Sequence, residues 1–184
     1  MSYLKHLRKS DIAERFNERI LSNRRFYILL VVGTIFWMSA LFAFKQNFNF
    51  HVNLTPSLPF TFLVTNKTVD NTDLTKRAIV EFPLGFDSPY KKYKKDSMFA
   101  KQLACVPGDL LETKGLEYYC NDFLIATALT HDSKGKAITQ YFNFNGVVPE
   151  GQYFARGIHS HSYDSRYWGF LEKKQITGVG VWQY

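Results

Sequence analysis

Nineteen consecutive uncharged residues, Phe26 to Phe44 (FYILLVVGTIFWMSALFAF), follow directly on the pair Arg24-Arg25. At 1.5 Å per residue such a helix reaches about 28 Å, close to the roughly 30 Å of a bilayer's hydrocarbon core. The apolar region of a cleaved signal peptide is shorter, about 7–15 residues, and ends at a small-x-small site. Ser39, Ala40 and Ala43 come close to such a site, so cleavage stays open as an alternative. A buried core helix fits poorly beside a basic cluster. The run reads as an uncleaved anchor over residues 26–45.

Charge supports that reading. Residues 1–25 hold seven basic and three acidic side chains, which is four of the chain's formal net charge of +7. Positive charge stays on the cytoplasmic side of a span, so this arm is expected inside and the 139 residues after Lys45 outside. Leu4, Leu7, Phe16 and Ile20 make the arm a candidate amphipathic helix on anionic lipid. A nucleic-acid partner is disfavoured, because most of the excess charge belongs to the arm and no helix-turn-helix or zinc-finger signature appears. A mean hydropathy of −0.21 excludes a polytopic protein.

Residues 46–184 read as one outer domain. After a short polar connector, Gln46 to Asn53, come apolar segments of strand length separated by Asn, Asp, Gly and Pro. The candidates are 60–65, 78–82, 99–106, 109–113, 116–120, 123–129, 147–156 and 176–182. Aromatic content is 17%, with 17 Phe and 11 Tyr, and no stretch sustains a 3.6-residue period over three turns. The expected class is mainly β with one N-terminal transmembrane helix. Ser88 to Ser97 (SPYKKYKKDS) reads as a charged loop. Cys105 and Cys120 fall in the part assigned to the oxidising side, and a hairpin turning near Lys114-Gly115 would bring their strands together, so a disulfide is expected. No CxxC is present, and the spacing of His159 and His161 more often marks a solvated loop than a metal pair.

Three segments stand out: NLTPSLP (53–59), MFAKQLACVPGD (98–109) and SYDSRYWGF (162–170). Singly they are a turn, a strand with one lysine, and an Asp-Arg pair of structural type. Together, in this order, they resemble the type I signal peptidases, membrane-anchored serine proteases of peptidase family S26 with a Ser-Lys dyad. Lys101 is followed by five mostly apolar residues and then Pro107-Gly108-Asp109, as in that family. Ser162-Tyr163-Asp164-Ser165-Arg166 followed by Tyr167-Trp168-Gly169-Phe170 matches its last box. Departures exist as well: Leu58 follows Ser57, Lys76-Arg77 stands where Gly-Asp opens the intermediate box, and Gln102 follows the lysine. The short Thr-x-Ser-x-Pro box, the small domain and the two cysteines look more like the TraF-type peptidases of conjugative plasmid transfer.

The resemblance implies a signal-peptidase-like β-domain with Ser57 as nucleophile and Lys101 as its base. Thr55 would join the oxyanion site, Ser162 would orient the lysine, and Asp164 and Arg166 would support both. A lysine acts as a base only when neutral, which its free pKa of about 10.4 forbids and burial permits. No metal or organic cofactor is required. The expected partners are the lipid bilayer, exported precursors such as a pilin, and other components of a conjugation apparatus. The expected location is the bacterial inner membrane, with the catalytic domain periplasmic. A general housekeeping signal peptidase and a non-catalytic scaffold subunit are the competing readings.

Overall fold

The computed structural model describes residues 14, 18, 23–53, 57–91 and 93–184. Most of the amino-terminal arm, including Leu4, Leu7, Phe16 and Ile20, therefore lies outside the described residues, as does Thr55. The chain divides into two compact units, residues 1–46 and 47–184.

The first unit contains helix α1 (Arg24–Asn47), 24 residues with no buried side chain. It extends past both ends of the anchor expected over 26–45, and its mean hydropathy of 2.1 suits a membrane span by length and composition.

The second unit is built from antiparallel strands. In chain order these are β1 (Phe48–Val52), β2 (Phe62–Asn66), β3 (Ile79–Pro83), β4 (Met98–Cys105), β5 (Leu110–Lys114) and β6 (Glu117–Cys120). They continue with β7 (Phe123–Thr127), β8 (Asn145–Val147), β9 (Gln152–Arg156), β10 (Leu171–Glu172) and β11 (Gly178–Gln183); one helical turn, α2 (Ser165–Trp168), precedes β10. A seven-stranded sheet runs β1-β2-β11-β3-β4-β9-β10, and a four-stranded sheet runs β7-β6-β5-β8. The domain is mainly β, as the sequence pattern predicts.

Two segments differ from expectation. The polar connector is strand β1, paired residue for residue with β2 from Phe48↔Asn66 to Val52↔Phe62. Its Phe-Asn-Phe-His-Val alternation is a period of two, and polar residues are tolerated on a strand at the sheet's edge. The single strand expected over 147–156 is two, β8 and β9, separated by a turn in which the Gln152 N–H donates to the Pro149 carbonyl and Gly151 takes φ +74°.

One apolar cluster draws on both sheets, with Val80, Phe82, Leu103 and Phe154 from the larger and Leu111 and Tyr118 from the smaller. A second, small cluster joins Leu58, Leu63 and Ile79, with Phe60 and Ala100 against it. The register places these clusters. Val80 pairs with Lys101 and Glu81 pairs with Ala100. Because side chains alternate across a sheet, Val80 and Lys101 share one face and Glu81 and Ala100 the other.

Candidate active site

Strand β4 carries the lysine, and its burial pattern explains how. Phe99, Lys101, Leu103 and Cys105 form the buried phase of a strict alternation. Lys101 thus occupies a core-facing position and is only 4% exposed. Burying an amine without a partner would be costly. Here the Lys101 Nζ donates to the Ser162 Oγ at 2.9 Å, and it lies 5.3 Å from the centroid of the Phe99 ring.

Ser57 sits in the loop between β1 and β2, 8% exposed. Asn53 shapes that loop. Its backbone N–H donates to the Thr61 carbonyl at 2.7 Å, and its side-chain amide donates to the carbonyls of Leu58 and Phe60 at 3.2 and 3.0 Å. From the opposite side the Ile158 N–H donates to the Ser57 carbonyl at 2.7 Å. Ser57 and Lys101 line the same cleft of about 300 Å³, together with His51, Glu81, Tyr93 and Ala100. Tyr93 comes from the loop read as merely charged. Its ring stands edge-on to Phe99 at 4.9 Å and stacks on Tyr163 at 6.0 Å, so the loop contributes to the cleft wall.

Ser162 is held by the segment that follows it. Its N–H donates to the His159 carbonyl at 3.0 Å, and its own carbonyl accepts from Arg166 Nη2 at 2.9 Å. Arg166 also binds both oxygens of Asp164, Nε to Oδ1 at 2.8 Å and Nη2 to Oδ2 at 2.9 Å, and donates from Nη1 to the Thr127 carbonyl at 2.7 Å. Asp164 is the N-cap of α2, accepting the Arg166 backbone N–H, and it also accepts the Gly157 N–H at 2.8 Å. Burial works against the Arg166 charge, but the bonds from Asp164 outweigh it and its pKa is raised. The pair is buried, with every guanidinium nitrogen and both carboxylate oxygens hydrogen-bonded, which is the condition under which a buried ion pair holds geometry. Tyr118 closes the arrangement: its hydroxyl lies 2.8 Å from the carbonyls of both Phe142 and Arg166, and burial pushes its pKa up to about 12.

The structure therefore brings together Ser57, Lys101, Ser162, Asp164 and Arg166. Cys105 and Cys120 form a disulfide with a Cα–Cα distance of 5.8 Å. Asp109 lies beside them, yet with both sulfurs in the bond the group offers no thiolate for an ion. His159 and His161 are exposed on a loop.

Besides the cleft-lining His51, Glu81, Tyr93 and Ala100, sequence reasoning missed three residues that shape the site. Asn53 belongs to a segment already singled out, but an Asn before a turn is commonplace. Ser165 accepts the Ala155 N–H at 2.9 Å and is hidden inside its own box. Gly157 gives the clearest signal, a glycine directly after the aromatic strand QYFAR. A Cβ there would lie 2.1 Å from the Ser162 Oγ and 3.0 Å from the Ser57 carbonyl oxygen.

The sequence model of the family described as "Signal peptidase, peptidase S26" matches residues 22–184. A Signal peptidase I of Haemophilus influenzae is 61% identical over 37 residues, which is 20% of this chain and 11% of that protein. A Signal peptidase I of Aquifex aeolicus is 33% identical over 89 residues, 48% of this chain and 32% of that protein. Signal peptidase I V of Bacillus subtilis is 30% identical over 104 residues, 51% of this chain and 62% of that protein. Each match thus spans less than two thirds of the relative's own length. The crystal structure of a signal peptidase I from Enterococcus faecalis superposes with a TM-score of 0.38 at 26% identity, covering 61% of this chain and 98% of that one. With the family model matched across the apolar helix and every strand, the chain belongs to the signal peptidase family, peptidase S26.

Proposed function

We propose that this protein is a membrane-anchored serine endopeptidase that removes signal or leader peptides from exported proteins, with Ser57 as nucleophile and Lys101 as general base. The observation that carries this reading is a buried lysine amine, hydrogen-bonded to Ser162, lining one cleft with a buried serine. Desolvation favours the neutral amine, the form that accepts a proton. Ser57 Oγ attacks the scissile carbonyl as its proton passes to Lys101, giving a tetrahedral oxyanion. The Ser57 N–H and the Thr55 hydroxyl are the proposed donors to that oxyanion. Lys101 then returns the proton to the departing amine, and a water activated by the same amine cleaves the acyl-enzyme. Ser162 holds the amine in place throughout, backed by Arg166 and Asp164. All these groups come from the protein, so the reaction as proposed calls for no cofactor.

Helix α1 is the proposed anchor in the bacterial inner membrane, with the arm inside and residues 46–184 in the periplasm. It would keep the cleft near the membrane surface, where a signal helix ends. The finer reading is processing of a pilin precursor for conjugation, with release to water or joining of the peptide's own ends. It is supported by the departures at Leu58, Lys76-Arg77 and Gln102 and by the paired cysteines; the names of the relatives favour the general signal peptidase as the second reading.

The test is the intact mass of a candidate precursor co-expressed with the wild type, Ser57→Ala or Lys101→Ala. Wild type is expected to shorten it, with each variant at least about 1000-fold slower. A linear product means hydrolysis, and one lighter by a water means joined ends. Equal processing by wild type and Lys101→Ala would overturn the dyad.

A further inference from the structure

Lys101 belongs to one face of the β3–β4 pair; the other face holds Glu81, a group to which the proposed peptidase reaction gives no role. Glu81 is 2% exposed and yet lines the cleft. Its Oε2 accepts from the Thr65 hydroxyl at 2.6 Å and from the Asn49 amide at 3.3 Å, and the His51 Nε2 lies 2.8 Å away. That imidazole nitrogen is itself buried without an aligned hydrogen-bond partner. All three contacts reach Oε2, and among the described residues no group is bonded to Oε1. The room for this arrangement is built into β11: a Cβ on Gly178 would lie 3.1 Å from Oε2 and 2.9 Å from the Thr65 hydroxyl.

The surroundings favour one kind of ligand. Leu63, Ile79 and Ala100 form an apolar floor beside Glu81, and Ala100, its direct cross-strand neighbour, leaves the carboxylate open to the cleft. β9 begins its pairing with β4 only at Gln102, so among the paired strands β3 alone joins Met98–Lys101. An extended peptide added along those four residues would alternate its side chains between the Lys101 face and the Glu81 face. A lysine or arginine suits the second face: its aliphatic stem lies on apolar surface while its charged end meets a carboxylate. Charge-assisted bonds of this kind are roughly twice as strong as neutral ones.

We infer that Glu81, set by Asn49, His51 and Thr65, is a specificity subsite for a basic side chain within the four substrate residues before the cut. This deepens the peptidase reading and rests on it.

The test uses the full chain in detergent and a peptide spanning the cleavage region of a processed precursor. Alanine, lysine, arginine or norleucine is placed in turn at each of the four positions. At one position lysine and arginine are expected to raise kcat/KM at least tenfold over alanine and norleucine. Glu81→Gln should collapse the lysine-to-norleucine ratio towards one, whatever it does to the absolute rates. If Glu81→Gln does not fold, the wild-type comparison of lysine with norleucine, which keeps the four-carbon stem without the ammonium, still decides. Norleucine equal to or better than lysine at all four positions overturns the subsite, as does a ratio unchanged in Glu81→Gln. Failure to cut any peptide of the series would instead sink the peptidase reading.

Discussion

A single methyl group at Gly157 would disturb both halves of the site. Its Cβ would fall 2.1 Å from the Ser162 Oγ, 2.5 Å from the Ser162 Cβ and 3.0 Å from the Ser57 carbonyl oxygen. Gly157→Ala must therefore push Ser162 away from the Lys101 amine or shift the Ser57 loop. Displacements near 1 Å can cost about 100-fold in rate, whereas overpacking typically costs about 1–3 kcal/mol of stability. Gly157→Ala is thus expected to lower kcat/KM about 100-fold with the domain still folded, as checked by peptide cleavage and thermal melting together. Ser57, Lys101 and the Ser162–Arg166 box were legible because each lies in a short motif of fixed spacing. Gly157 was not, since its constraint comes from residues elsewhere in the chain. Lys101 lies between these cases. Its apolar neighbours in sequence fit a snorkelling lysine equally well, and only the phase of β4 shows the amine turned inwards.

At the scale of elements, the link from β4 to β5 is a Pro107-Gly108-Asp109 turn that also restrains the strand carrying the lysine. Gly108 takes φ +88°, the Asp109 N–H donates to the Val106 carbonyl, and the Asp109 carboxylate accepts the Val106 N–H at 3.0 Å. The Lys76 ammonium lies 2.8 Å from the same carboxylate, and Asn121 donates to it at 2.8 Å. Burial alone would raise the Asp109 pKa, but these partners outweigh it and hold the carboxyl below its ordinary value of 3.8. A depressed carboxyl contributes stability above its unfolded pKa and loses it as pH falls through the folded one. Asp109→Asn is therefore expected to lower the melting temperature at neutral pH, with that penalty shrinking progressively as pH falls below about 3.8. Melting curves of both proteins across the acid range check this. Strand β4 and this turn were visible in the sequence. Strand β1 was not, because two of its five residues are polar, it lies in a polar connector, and its reason for being a strand lies in β2.

Across the whole molecule, a mainly β domain and a separate apolar helix were apparent from hydropathy and spacing. The order of strands was not, since β11 inserts between β2 and β3, far from either in sequence. The two sheets share a core and are joined covalently: Cys105 ends β4 and Cys120 ends β6, 15 residues apart. Closing a loop of that length removes about 3 kcal/mol of freedom from the unfolded chain. The double variant Cys105→Ala/Cys120→Ala is expected to lose about that much stability, measured by urea unfolding against the oxidised wild type. The position of β11 bears also on how the molecule is made. Ser57 belongs to the loop of β1–β2 and Lys101 to the β3–β4 pair, and these two pairs are bridged by β11, the last in chain order of the described strands. On the roles proposed for Ser57 and Lys101, the nucleophile and its base would sit on separate hairpins until β11 had joined them, so the proposed protease would become active only once its last described strand was in place.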